Sequence, residues 1–500
     1  MNQKIRRFSV VLALLLALLL AACTPNTPAE DLQTPPVEEG ATPGFDDQAD
    51  LVVVGAGAAG IAAAVEAADS GCEDIILLEK TAILGGTAIL SEGILSGYDT
   101  QLSQKHGAHV TAQECYDRMM EISDAQIDPE LTWITAEKCG ETIDWLIDVL
   151  HVPFVDEVVV NPTYGPLQMI HNVEGKGSGF AEPFAEAIES RPAIRLMMEC
   201  PGISLIGDEN DVIVGVEAQK DGEPYRIQAK AVILATGGCG SNTELLSRLV
   251  PLYDGCVPAA HVGATGDASI MASEFGAAIA NPNLFRATLA DLEAIEQRGV
   301  RGFAASIGNF LQGGAIIVNT EGQRFIDDRP VERVGSFHIP FFEAMHNGEE
   351  SYFWAINDQA GMDVKGATRP GGMEYLKADT LEELAVLIDI DPAALQATVD
   401  RWNELAQKGV DEDFGRTIDL TPLGDGPYYA VKTGVAAMIT YAGVLNNERA
   451  EVVKVNGEII PGLYVAGEAA SNANWAGWMM SNAFTWGRIA AHSALDYMGN

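Results

Sequence analysis

Residues 51–54 form a continuous apolar run, the pattern of a strand buried on both faces. Gly55-Ala56-Gly57-Ala58-Ala59-Gly60 follows, and an alanine-rich stretch to about Ser70 predicts a helix. A second buried strand, residues 75–78, ends in Glu79. Residues 231–234 repeat the apolar pattern and run into Ala235-Thr236-Gly237-Gly238. Toward the carboxyl end, residues 462–468 (Gly-Leu-Tyr-Val-Ala-Gly-Glu) predict another strand and turn, with a closing helix from about Asn482. Over 283–424 the pattern becomes mixed, more charged and helical, with helices predicted at 381–388 and 392–406. Asp391-Pro392 opens the second of these as a cap followed by proline at the first helical position. An α/β domain in two parts, 49–282 and 425–500, is therefore expected around an inserted domain at 283–424. Five hundred residues fit such a division, because one hydrophobic core rarely organises so long a chain.

The amino terminus has a different pattern. Lys4, Arg6 and Arg7 precede an apolar run at 9–20, too short for an ordinary membrane span. Leu20-Ala21-Ala22-Cys23 then resembles a bacterial lipobox, so 1–22 is expected to be a signal peptide and Cys23 the lipidated residue. A plain secretory signal with a chance cysteine is the alternative. The Arg6-Arg7 pair leaves twin-arginine and ordinary export both open. Residues 23–48, rich in Thr, Pro, Glu and Asp, predict a flexible acidic tether. The mature protein is expected outside the cytoplasm, held to the membrane by its lipid.

Charge narrows the partners. Lys and Arg total 30 against 71 Asp and Glu, a formal net charge of -41. Such a polyanion repels nucleic acid and anionic headgroups, and its acidity serves solubility. Six cysteines besides Cys23 (Cys72, Cys115, Cys139, Cys200, Cys239 and Cys256) form no CxxC pair and have no histidine cluster beside them. No metal site, redox dithiol, haem or iron–sulfur pattern is predicted, and these cysteines read as small core residues.

The first glycine turn carries chemistry. Gly55 permits the tight turn, Gly57 lets the backbone approach a pyrophosphate, and Gly60 lets helix and strand pack closely. Glu79, nineteen residues beyond Gly60, stands where a carboxylate accepts hydrogen bonds from a ribose. A Rossmann-type dinucleotide site is the reading.

With these residues in place, the chain resembles the flavoprotein family of fumarate reductases, succinate dehydrogenases, aspartate oxidases, urocanate reductases and 3-ketosteroid dehydrogenases, over almost all of 50–495. Leu84-Gly85-Gly86-Thr87-Ala88 is similar to the family's second glycine turn, Ala235-Thr236-Gly237-Gly238 to its ATGG turn, and Gly263-Ala264-Thr265-Gly266-Asp267-Ala268 to its TGDG loop. Residues 462–468 resemble GLYAAGE, Ser481-Asn482-Ala483 the GNA helix start, and 313–325 the GAIVVN…GKRF start of the capping domain. The resemblance implies FAD, in a Rossmann-like FAD-binding domain with an inserted α+β capping domain. The cofactor-binding residues it implies are Gly55, Gly57, Ala59, Gly60, Glu79, Gly85, Gly86, Thr87, Ala235, Thr236, Gly237, Asp267, Gly467, Glu468, Ser481, Asn482 and Ala483. Gly86 stands where succinate dehydrogenases carry the histidine that links flavin covalently, so non-covalent FAD is expected.

The substrate residues of the family do not carry over as well. Arg286 occupies the place of one substrate histidine, and Ile439 that of the other. Trp478 replaces the arginine that clamps a carboxylate, Leu311 and Gly308 replace the proton-relay pair, and the proton-donating arginine falls at Glu332, one residue from Arg333. A carboxylate without a bidentate guanidinium loses orientation and charge compensation. Tyr441, Trp475 and Trp478 would present flat, amphipathic surface instead, although aromatics also simply fill cores. Arg333, Tyr441, Arg286 and Trp478 are the catalytic candidates. His171, in a glycine-rich loop, reads as a surface histidine.

The expected activity is hydride transfer from FAD to the activated C=C bond of an enone or enoate other than fumarate, with Arg333 or Tyr441 as acid. Dehydrogenation of a ketone or ketosteroid-like substrate is the reverse reading. A flavin electron-transfer lipoprotein is the non-enzymatic one. Electrons would come from an external flavoprotein or quinol-linked donor.

Overall fold

The computed structural model describes residues 44–500 except 124, 162–164, 250, 282–284, 330–338, 348–350, 472–477 and 500. Cys23, the expected leader and most of the expected tether therefore lie outside the described residues, as do Arg333 and Trp475. The strands that matter here are, in chain order, β1 (Asp47–Val54), β2 (Ile75–Leu78), β3 (Ile94–Ser96), β4 (Gln168–Asn172), β5 (Ile194–Met197), β6 (Gly202–Gly207), β7 (Ile213–Lys220) and β8 (Glu223–Leu234). Then come β9 (Phe285–Asp291), β10 (Ile316–Val318), β11 (Phe353–Asp358), β12 (Tyr428–Thr440), β13 (Glu451–Val453) and β14 (Ile459–Val465). The helices used below are α1 (Ala58–Asp69), α2 (Ala112–Ile122), α3 (Pro129–Asp148), α4 (Pro392–Lys408) and α5 (Trp478–Met498).

An eight-stranded sheet runs in the order β13-β14-β8-β1-β2-β5, with the β6–β7 hairpin joined through β8. Its central pairs β14–β8, β8–β1, β1–β2 and β2–β5 are parallel. Strand periodicity sends Leu51 and Val53 to one face and Val52 and Val54 to the other. The first pair joins a core with α1, α3 and α5, and the second a core with β7 and the short helix Asp267–Ser273. Burial on both faces explains why these strands are apolar throughout. α1 is apolar for the same reason except at Glu66, which pairs with Arg488: Ala58 through Ala67 are buried. α5 crosses it at Gly487, where a Cβ would lie 2.3 Å from the Ala59 carbonyl oxygen.

A six-stranded sheet takes β9, β10, β11, β12, Val257–Pro258 and Leu376–Ala378. β12 is its hub, pairing antiparallel with β9 and β11. The thirteen-residue strand Tyr428–Thr440, wholly beyond the boundary expected at 425, thus belongs to the six-stranded sheet. Ile316 and Val318 face a core that includes Leu395, Val399 and Trp402 of α4, while Ile317 faces the opposite core. Asp391 caps α4 as expected, accepting the Ala393 N–H at 3.3 Å. Charged side chains are buried in this region. Arg416 donates to Asp328 at 3.0 Å and to the Ala315 carbonyl at 2.7 Å, and Arg324 bridges Asp328 and Asp411. Arg369 likewise holds Asp291, the cap of the helix Leu292–Arg298.

His171 corrects one expectation. It is fully buried in β4, opposite Leu95 of β3, and is not on the surface. Nε2 lies 2.8 Å from Thr100 Oγ1 and Nδ1 3.0 Å from the Met169 carbonyl, so both nitrogens are satisfied without water. Burial pushes its pKa down to about 4. The loop expected here is a strand followed by the 3-10 turn Lys176–Phe180. All six described cysteines are buried and unbridged. No helix among the described residues is long and apolar enough to cross a membrane.

Candidate cofactor and active site

A cleft of about 1570 Å3, open solvent at its mouth included, runs across the carboxyl ends of β2, β1, β8 and β14. Crevices at the carboxyl ends of parallel strands are where open α/β sheets take ligands. At its centre the backbone is held close by missing side chains. Gly55 has φ +105°, and a Cβ there would lie 2.4 Å from the Ala235 carbonyl oxygen. A Cβ on Gly60 would lie 1.8 Å from the Gly55 carbonyl oxygen. The second glycine turn docks on the first: Gly85 N–H donates to the Ala56 carbonyl at 2.9 Å, and Gly86 faces Gly57. α1 starts from Gly57 with no side-chain cap, so its first N–H groups are left for an anion.

On the β2 side, Glu79 is buried and accepts Ala56 N–H at 3.1 Å and Thr81 N–H at 2.8 Å. The glycine turn and the acid that follows the second strand are thereby fixed to each other. Lys80, which the sequence did not single out, joins Asp267 at 2.7 Å and Thr265 Oγ1 at 2.6 Å. His261 also lines the cleft; its Nδ1 accepts Gly263 N–H at 3.0 Å, and burial lowers its pKa. Neither had a motif of its own, since each is recognised only by partners distant in sequence or by facing the cleft. On the β14 side, Glu468 accepts Thr440 N–H at 2.9 Å, and burial pushes its pKa up to about 7.

The cleft brings together Gly55, Gly57, Ala59, Glu79, Gly86, Thr87, Ala235, Thr236, Gly237, Asp267, Gly467, Glu468, Asn482 and Ala483. Gly60, Gly85 and Ser481 stand behind it. The two glycines permit the close packing just described, and Ser481 Oγ donates to the Ser96 carbonyl at 2.8 Å.

The catalytic candidates are placed differently. Tyr441 and Trp478 do not line the cleft; both are fully buried in a cluster with Cys115, Met119 of α2 and Cys139 of α3. Trp478 Nε1 finds no hydrogen-bond partner among the described residues. The neighbours Met438, Ile439, Met479 and Met480 face the cleft instead. Tyr441 lies just beyond the end of β12 and Trp478 opens α5, where the chain changes direction and both aromatics turn inward. Arg286 pairs with Ile439 across β9 and β12, which sets its backbone beside a cleft residue; its side chain lies outside the described residues. Arg333 lies outside them altogether. Among the described residues no cluster of His, Cys, Asp and Glu could hold a metal.

A glycine-lined cleft over a parallel sheet, with an acid after the second strand, is the architecture of a dinucleotide-binding protein. Comparison with known proteins names the dinucleotide. The profile of the FAD binding domain matches residues 50–483. Urocanate reductase of Eggerthella lenta is 30% identical over 478 residues, covering 90% of this chain and 75% of that protein. Fumarate reductase (cytochrome) of Shewanella frigidimarina is 30% identical over 463 residues, covering 90% and 78%. The open conformation of a flavocytochrome c3 fumarate reductase superposes with a TM-score of 0.79 at 26% identity, covering 91% of this chain and 80% of that one. The chain belongs to this FAD-binding flavoprotein family. It is an FAD-dependent oxidoreductase acting on CH–CH groups, and the backbone cradle at Gly55, Gly57 and Gly86 is shaped for its cofactor.

Proposed function

We propose that this protein is an extracytoplasmic, lipid-anchored reductase of the C=C bond in an α,β-unsaturated carbonyl compound other than fumarate. One observation carries the substrate class. The cleft beside the β14 turn is walled by Leu90, Ile94, Met438, Ile439, Met479 and Met480, and no arginine is among the described lining residues. Such a wall favours a neutral, apolar acceptor, because its described side chains offer the carboxylates of a dicarboxylate no charged partner.

FAD, when bound, supplies the hydride. The protein's part is binding and orientation. The N-terminus of α1 and the amides of the two glycine turns would hold the pyrophosphate, and Glu79 the ribose. Gly86 leaves no side chain for a covalent link, so the flavin is held non-covalently. The elements of the six-stranded sheet would form the cap that closes over the substrate. Arg333 is proposed to deliver the proton, on the strength of its place beside the family's donor position. Electrons would come from an external flavoprotein or a quinol-linked donor, with Cys23 keeping both proteins at one membrane surface.

Anaerobic reoxidation of the photoreduced holoprotein tests this reading against enones, cinnamates, urocanate and fumarate. Neutral enones are expected to reoxidise the flavin fastest. Reoxidation by dyes alone would leave only an electron-transfer role, and fastest reoxidation by fumarate would overturn the substrate class. In the same assay Arg333→Ala should slow substrate-driven reoxidation at least about a hundredfold.

A further inference from the structure

Three turns from distant parts of the chain meet at one carboxylate. Glu468, in the turn after β14, accepts the N–H of Thr440 at the end of β12. Thr440 Oγ1 lies 3.4 Å from the same carboxylate oxygen and accepts the N–H of Cys239, in the turn after β8, at 3.0 Å. Gly238 fits against both: a Cβ there would lie 2.2 Å from Thr440 Oγ1 and 2.3 Å from Glu468 Oε1. All three turns contribute to the wall of the cofactor cleft.

The charge at this junction is uncompensated. No ion pair among the described residues reaches Glu468, whereas Asp267 has Lys80 and Glu92 has Lys176. The elements packed around the 466–469 turn bring neutral groups: Ala59 from α1, Ala483 from α5, Thr440 from β12 and the thiol of Cys239. Burial holds that thiol protonated, with its pKa pushed up to about 11. Glu468 keeps intermediate exposure although protein surrounds it, because its open side faces the cleft. A ligand in the cleft displaces that solvent and strengthens every charge interaction across it.

We propose that Glu468 is a redox-linked proton site, taking up one proton as negative charge develops on the reduced flavin and releasing it on reoxidation. The carboxylate becomes a carboxylic acid, the proton comes from solvent, and the two electrons go from an external reductant to the flavin. Glu468 acts through the cofactor's charge and is a positioning residue. The inference rests on FAD binding and is independent of the substrate class.

The test is the midpoint potential of the FAD holoprotein against pH, measured by spectroelectrochemistry for wild type and Glu468→Gln. Glutamine keeps an oxygen acceptor for Thr440 N–H and removes the titration. Burial raises the acid's pKa, and uptake on reduction shows above its value in the oxidised holoprotein. There the wild-type slope should exceed that of Glu468→Gln by about 30 mV per pH unit, the two-electron equivalent of one proton. Equal slopes would overturn the proposal, since a purely structural role shifts the potential without changing its slope. If Glu468→Gln retains no FAD, the reduced-minus-oxidised infrared spectrum of wild type decides. A carboxylic-acid carbonyl band must appear on reduction, and its absence overturns the proposal.

Discussion

Across the eight-stranded sheet the chain approaches itself where side chains are missing: Gly60 against Gly55, Gly487 against Ala59, Gly86 against Gly57. Across the six-stranded sheet glycines also meet distant backbone, as Gly314 meets Thr421, but buried charged side chains join the segments as well. Arg416 reaches Ala315, Asp328, Ile418 and Asp419, and its guanidinium stacks on Trp402. The first region offers a ligand backbone N–H groups and a bare surface. The second uses its polar groups up on itself. Cofactor binding and the rigidity of the cap are thus expected to fail under different substitutions.

Gly60→Ala should have the largest effect, since its methyl would overlap the Gly55 carbonyl oxygen. Loss of at least ~3 kcal/mol of stability and of all copurifying flavin is expected, read from the melting temperature and the flavin absorbance per chain. Gly71→Ala is the control: φ is +99° but nothing lies within 4 Å, so ~1 kcal/mol is lost and flavin is kept. Arg416→Met comes next. It leaves buried Asp328 with one cation fewer and should lower stability by ~3–5 kcal/mol in urea, with full flavin content in the folded fraction. Flavin loss as complete as for Gly60→Ala would break the comparison.

His171 sharpens it with pH. Its folded pKa is depressed from 6.5 to about 4, so its contribution is fully present above pH 6.5 and lost as pH falls toward 4. Stability should fall over that window by on the order of 1 kcal/mol per pH unit, and His171→Gln should flatten the slope. Glu79→Gln should act least, weakening FAD about tenfold, or ~1.4 kcal/mol, in an equilibrium titration while leaving the fold intact.

The same contrast governs what was legible in the sequence. Gly55, Gly57, Gly60 and Glu79 could be read because a backbone that must approach a phosphate admits few residue types. Lys80 and His261 could not, because Lys80 finds Asp267 187 residues away and His261 has only its place in the cleft to mark it. The Glu468 turn was legible as a motif, but not its tie to Thr440. Tyr441 and Trp478 were recognised as large aromatics near the site, yet phase along a strand end and a helix start decides their direction. His171 looked like a loop residue because β4 is only five residues long and its hydrogen-bond partners are invisible in the pattern.

The central claim is that the cofactor half of the family is kept while its carboxylate grip is gone. Difference titration of the oxidised holoprotein, following the flavin absorbance, tests this most directly. A neutral cyclic enone should perturb the flavin saturably, and fumarate or succinate should not at comparable concentrations. Saturable perturbation by fumarate at lower concentration than by any neutral enone would contradict the account.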